Sequence, residues 1–196
     1  MYEDLFLSLS ENANKLSEFR NQCVGISNNF QPIELLDFCK NEIDEFSKGN
    51  ILTLGGGPGI EACVVKNKYP SFNLYSSDIS PWAMKIGEKF IDKDFVFFHT
   101  CDMIDLCFED CFFNVILSIH SLEHTSDIEK SMSEIVRTIK GGGIFGLAYP
   151  YGWSTDEQHV YEFNDDLQRY MSSFGDVLIG ESKDYKSKIL KVVIEK

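Results

Sequence analysis

The stretch Ile51-Leu52-Thr53-Leu54-Gly55-Gly56-Gly57-Pro58-Gly59-Ile60-Glu61 constrains this chain more than any other. An apolar run of strand length stops at a glycine cluster, and an apolar segment of helical period follows. The pattern dictates a buried strand, a turn without Cβ atoms and the start of a helix. Glycines let such a turn take positive φ and let a ligand come close to the backbone. The N–H groups that open the next helix face the same space and favour polar or negative ligand groups. The stretch reads as a binding loop for a nucleotide-like cofactor.

Downstream of it, strand and helix patterns alternate. The helix after the glycines is expected to stop at Tyr69-Pro70, and Phe72–Ser77 reads as a second strand ending in Asp78. Ser80-Pro81 reads as an N-cap with proline behind it, and Trp82, Ile86 and Phe90 are expected to form that helix's buried stripe. Phe95–His99 and Asn114–Ile119 read as strands three and four. Ser126-Asp127-Ile128-Glu129 predicts a capping box opening a helix with Met132, Ile135 and Val136 on one face, and Lys140 to Gly143 is expected to end it. Ile144–Ala148 is a fifth strand, residues 151–163 a polar aromatic loop, and Asn164 the cap of a short helix. The β-rich runs Asp176–Ile179 and Ile189–Ile194 read as an antiparallel hairpin. Residues 1–48 read as a helical N-terminal extension, either a lid or an outer layer, with one helix over Pro32–Phe46. Alternation of this kind predicts an α/β, doubly wound, mostly parallel sheet with helices on both faces, in a single domain over 1–196 whose core is 51–196.

The composition narrows the partners. A net charge of −13 repels phosphate backbones, and no basic cluster offsets it, so a nucleic-acid substrate is disfavoured. No apolar run approaches the roughly 20 residues of a membrane span, and the first residues lack the basic region of a secretory signal. A cytoplasmic protein is the expectation, with no membrane partner. The six cysteines show no zinc-site spacing, so no metal is expected; most lie in apolar runs and are expected to be buried free thiols.

Ligands of open parallel sheets bind beyond the carboxyl ends of the strands. That directs attention to Gly55–Gly59, Asp78, Asp102 and Ser118–His124, each of which follows a strand. A dinucleotide fingerprint would place its third glycine where this chain has Ile60, and a phosphate loop would need a Gly-Lys-Ser/Thr that is absent. Two acids at successive strand ends are more telling. Asp78 can accept both ribose hydroxyls of an adenosine, and Asp102 can accept from the adenine amine.

In ILTLGGGPG, NLYSSDIS, TCDMIDLCFEDCFFNVILSIHSLEHT and EIVRTIKGGGIFGLAYP, the chain resembles the class I, Rossmann-like S-adenosylmethionine-dependent methyltransferases, in particular their small-molecule branch. The resemblance spans Ile51–Pro150. It implies a seven-stranded sheet with an antiparallel last strand, and S-adenosyl-L-methionine as cofactor. Gly55, Gly56, Gly57 and Gly59 would pass beneath the methionine arm, Asp78 would hold the ribose and Ile79 would pack on the adenine. Asp102 and Met103 would meet the adenine edge, and Ser118, Ile119 and His120 would border the sulfonium. Glu134–Arg137 and the glycines after it would be architectural. Two positions depart from the pattern. Thr53 replaces the usual acid, a change worth about 1.5–3 kcal/mol if a charge-assisted hydrogen bond is lost, so Thr53→Asp is expected to tighten cofactor binding. Asn114 replaces another acid and is expected to act structurally.

The function implied is methyl transfer to O or N of a small polar metabolite or sugar-like acceptor. His120, His124 and His159 are the candidate general bases, each weighed against a structural or solvated role, and His99 is expected to pack against the sheet. Tyr149, Tyr151 and Trp153 form either an aromatic wall for substrate or a cover for the sheet edge. The alternative reading is a non-catalytic methyltransferase-fold partner subunit with weakened cofactor binding; a homodimer or a partner chain is compatible with both. A dehydrogenase is the third and weakest reading.

Overall fold

Alternate residues of the first strand turn to opposite faces of a sheet, and both faces are covered. In the computed structural model, which describes residues 31–92, 94–150, 165–182 and 187–196, Ile51 packs into one apolar layer while Leu52 and Leu54 pack into the other. This strand, β1 (Asn50–Leu54), lies between β2 (Asn73–Asp78) and β4 (Phe113–Ile119), with β3 (Phe97–Thr100) at the edge beyond β2. The other half continues through β5 (Ile139–Pro150), β7 (Ser187–Ile194) and β6 (Gly175–Glu181), giving the order β3-β2-β1-β4-β5-β7-β6. Strands β1 to β5 pair in parallel, and β7 runs antiparallel between β5 and β6. The seven strands and the terminal hairpin therefore match the expectation from sequence. The reversal of strand order between β1 and β4 opens a crevice at their carboxyl ends.

Helices cover the faces: α1 (Gln31–Phe38), α2 (Lys40–Asp44), α3 (Ile60–Lys68), α4 (Pro81–Phe90), α5 (Ile128–Thr138) and α6 (Asp165–Met171). Leu35, Leu36 and Ile43 of the first two are fully buried in the layer that holds Ile51, Leu74 and Val115. This part of the extension is thus an outer layer of the core. It is broken at Cys39 into two helices rather than the continuous one expected. Lys191 of β7 fixes it by donating to the Phe38 carbonyl and pairing with Glu42. The remaining 1–30, where a lid was one reading, lie outside the described residues.

Four local expectations change. Trp82 is 44% exposed, with the Lys85 ammonium 4.8 Å above its ring; the buried stripe of α4 is Ala83, Met84 and Ile86. Gly87 belongs to the same face, where a Cβ would strike the Phe98 ring; the Phe90 side chain lies outside the described set. The cap of α5 is Asp127, which accepts from the Lys130 N–H at 3.1 Å, one residue later than the expected box. The glycines 141–143 do not follow a helix in a loop. Ile139 is already extended and pairs with Phe113, and the next pair is Val115 with Ile144, so the glycines bulge out of β5, with Gly142 at φ +74°. Finally, of the five described cysteines only Cys39 is buried. The loop after β3 runs over the surface and carries Cys107 and Cys111 outward.

That loop, residues 101–112, is held by one side chain. Arg137 of α5 donates to the Leu106 and Phe108 carbonyls at 2.9 Å each and to Asp110 at 2.7 Å, and is paired with Glu134 at 2.7 Å. Glu134 in turn accepts from the Leu106 N–H at 2.7 Å. Hydrogen bonding to Arg137 holds the Glu134 carboxyl below its ordinary value. Phe108 completes the anchoring by packing on His99, Phe113 and Tyr75. Burial lowers the His99 pKa, in keeping with a packing role. Arg137→Ala is expected to destabilise the protein by about 2 kcal/mol, since several charge-assisted bonds are lost, and to lower Tm by roughly 4–8 °C in calorimetry.

Candidate functional site

Three glycines in the loop after β1 have positive φ, for different reasons. Gly55 (φ +66°) lies so close to Ser121 that a Cβ would sit 2.3 Å from that side chain, and Gly59 (φ +84°) is pressed against the Phe98 ring. A Cβ on Gly57 (φ +50°) would meet nothing within 4 Å. Gly57 is thus the point at which the bare backbone opens onto a cavity of about 610 Å³ at the carboxyl ends of the strands. Gly59 also caps α3 from a left-handed conformation and, having no side chain, makes no cap hydrogen bond of its own.

Asp78 holds this loop in place. One carboxylate oxygen accepts from the Gly57 N–H at 3.0 Å and the other from the Ser80 N–H at 2.8 Å. The carboxylate therefore braces both the glycine loop and the entry to α4, and each oxygen keeps a second lone pair for a ligand. Ile79 beside it is 67% exposed on the cavity rim, an apolar shelf for a flat ring. Across from it, Asp102 accepts from the Ile104 N–H at 3.2 Å, and Met103 follows on the wall. Cys101 lines the cavity as well, its sulfur 2.8 Å from that of Cys107.

The loop after β4 forms the far wall. Ile119, His120 and His124 line the cavity. Ser118 lies beneath it, fully buried, sharing a 2.7 Å hydrogen bond with Ser121, whose hydroxyl is also 2.8 Å from the Leu54 carbonyl. His120 has φ +48°, costly for a residue with a Cβ. Its Nδ1 lies 3.6 Å from the buried Glu123 carboxylate and its Nε2 is 3.1 Å from the Ser187 hydroxyl. Of the residues expected in the site, Gly55, Gly56, Gly57, Asp78, Ile79, Asp102, Met103, Ile119, His120 and His124 come together on one cavity. Gly59 and Ser118 support it from behind. His159, Tyr151 and Trp153 lie outside the described residues, and Tyr149 is buried in the sheet.

Thr53 does not face the cavity. It is 2% exposed, and its hydroxyl donates to the Tyr75 carbonyl of β2 at 3.3 Å. Asn114 is structural as expected, accepting from the Asn50 N–H and the Lys140 ammonium. The acid that sequence reasoning missed is Glu61, in the first turn of α3 and on the cavity wall. Its signal was its place just after the glycine turn, because a helix that starts at a crevice presents part of its first turn to it. Burial pushes the Glu61 carboxyl up to about 7, its own N–H pulls the other way, and the nearby Asp78 charge adds to the rise. No group of three or more metal-ligating side chains occurs among the described residues, and no described helix is long and apolar enough to cross a membrane.

Two outcomes follow for the protein without added ligand. An Asp at position 53 would bury a carboxylate against the Tyr75 carbonyl, so Thr53→Asp should lower stability by about 1–3 kcal/mol in denaturant titrations. Ligand affinity should not rise, contrary to the expectation from sequence. Glu61 keeps its proton to a higher pH when folded than when unfolded. Its contribution is therefore greatest below about 4.5 and is lost as pH rises to about 7. Glu61→Gln should remove that slope and melt higher than the parent at pH 8.

Comparison with known proteins agrees with this architecture. Residues 52–147 match the family model described as a methyltransferase domain. Ajmaline N-methyltransferase of Rauvolfia serpentina is 33% identical over 97 residues, which are 47% of this chain and 33% of that protein. The chain thus spans about a third of that relative's length. A SAM-dependent methyltransferase from Aquifex aeolicus superposes with a TM-score of 0.67 at 15% identity, over 84% of this chain and 90% of the other. A chain from the complex containing a Haloferax volcanii methyltransferase activator superposes at 0.69 and 14% identity, over 94% of this chain and 100% of its own. A glycine turn, two strand-end acids and the β3-β2-β1-β4-β5-β7-β6 sheet coincide with the segment, residues 52–147, that matches the methyltransferase-domain model.

Proposed function

We propose that this protein is an S-adenosyl-L-methionine-dependent methyltransferase that methylates O or N of a small polar acceptor, working as a single domain in the cytoplasm. The observation that carries the reading is the convergence of the Gly55–Gly57 backbone, Asp78 and Asp102 on one cavity at the sheet's switch point. The fit to the cofactor rests on three features. Gly57 leaves open space where any other residue would intrude. Each Asp78 oxygen keeps accepting capacity for a ribose hydroxyl, and Ile79 offers an exposed apolar shelf beside it. Among the described lining residues there is no Lys or Arg, which suits a ligand that carries positive charge.

When bound, the cofactor supplies a methyl group already activated on a sulfonium. The protein's part is alignment and exclusion of water. Asp78 would fix the ribose, Asp102 and Met103 would hold the adenine edge, and the glycine loop would carry the amino-acid arm. His120 and His124 stand on the opposite wall, where an acceptor would approach. Both are candidates to take a proton from a hydroxyl or ammonium acceptor, His120 being held by Glu123 at its Nδ1 side and by Ser187 at its Nε2. His159 stays a candidate from the sequence.

A second reading is the partner subunit with weakened cofactor binding. It draws support from the likeness to a chain found in a complex with an activator, and from exposed Leu178 and Ile179 on edge strand β6. Calorimetry with S-adenosylhomocysteine separates the two. The enzyme reading expects micromolar or tighter binding and a loss of at least tenfold in Asp78→Ala; absence of binding by the parent protein would sink it. Release of S-adenosylhomocysteine in the presence of panels of small amines and alcohols would then identify the acceptor class.

A further inference from the structure

The cavity holds one charged group with no part in the scheme above. Glu61 stands in the first turn of α3, directly after the turn at Gly57 and Gly59, and its side chain lines the same cavity as Asp78 and His120. Glu61 is half-buried, and a carboxylate withdrawn from water to that extent ordinarily has a polar partner. Among the described residues no ion pair or side-chain hydrogen bond satisfies this one, and no Lys or Arg lines the cavity. Near the end of β1, where the resemblance implies an acid, stands Thr53, whose side chain is committed to β2. A carboxylate thus reaches the cradle from the helix after the glycines and not from the strand before them.

We infer that Glu61 is the counter-charge for the ammonium of the ligand's amino-acid arm, and so a specificity-determining residue for amino-acid-bearing adenosine ligands. The inference rests on the cofactor reading given above. The geometry explains why this group is found on α3. The first turn of a helix has N–H groups without acceptors, and Glu61 accepts from its own, so the carboxylate is anchored at the positive end of the helix while facing the cavity. The cost of partly desolvating the charge is offset when the cation arrives. Because the carboxyl of the free protein titrates near 7, the arriving cation must displace a proton at lower pH.

The test compares S-adenosylhomocysteine with 5′-methylthioadenosine, which has the same nucleoside and thioether but no amino-acid arm. Each is titrated by calorimetry into the parent protein and into Glu61→Gln. The substitution should weaken S-adenosylhomocysteine about tenfold to a hundredfold and change 5′-methylthioadenosine by less than about twofold. For the parent protein, affinity for S-adenosylhomocysteine should rise about tenfold from pH 6 to pH 8, with proton release at pH 6, and the variant should lack both effects. Asp78→Asn, which touches the ribose that both ligands share, should weaken the two alike. Equal loss of both ligands in Glu61→Gln, or loss of neither, overturns the role of Glu61 while leaving the cofactor reading intact. A parent protein that binds neither ligand overturns the cofactor reading itself. Thermal melting of each variant confirms that the folded protein is being titrated.

Discussion

The hydrogen bond from the Gly57 N–H to the Asp78 carboxylate is the contact on which the site depends. It joins the turn after β1 to the end of β2, adding to the backbone pairing and to the Thr53 hydroxyl's bond to the Tyr75 carbonyl. The other carboxylate oxygen starts the turn into α4. One side chain thus sets the left-handed glycine turn, the direction of the next helix and the place where a ribose would lie. A carboxylate can do this because each oxygen accepts more than one hydrogen bond.

The rest of the cavity is built by similar ties from a distance. Arg137 in α5 holds the loop that carries Asp102 and Met103, while Ser121 is locked to Leu54 and Ser118 beneath Gly55. These links connect every wall to the buried layers on both sides of the sheet. The walls are loops, yet their positions are fixed by side chains rooted in the core. Such fixing is what alignment of a donor and an acceptor requires.

Charge is distributed with the same economy. The cavity has carboxylates at Glu61, Asp78 and Asp102 and imidazoles at His120 and His124, with no described Lys or Arg on its wall. Asp78 and Asp102 are tied to backbone N–H groups, as loop acids usually are. Glu61 differs in lying at a helix start near Asp78 with no described partner but its own N–H, and desolvation together with the Asp78 charge holds its proton to about 7. The pocket is therefore suited to cations, in keeping with the proposed reaction, which would bring a sulfonium and an ammonium into one crevice.

The order of strands and helices, the glycine turn and the strand-end acids could be read directly from the chain, because each is a local pattern: period 2 against period 3.6, glycine where no Cβ fits, an acid where a strand stops. Cap and stripe assignments drifted by a residue or failed. Asp127 outcompetes Ser126 by lying one position nearer the helix, and Trp82 stays outside because Ala83 and Met84 are turned toward the sheet. The glycines after α5 could not be recognised as a bulge, since that depends on how Ile139 pairs with Phe113 across the sheet. The same holds for the two positions, 53 and 61, weighed for the amino-acid arm of the proposed cofactor. Sequence determined that Thr53 is not acidic and that Glu61 follows the turn. Only the tertiary structure decided that Thr53 points into β2 and Glu61 into the cavity, because that depends on which neighbours pack around each side chain and not on its place in the chain.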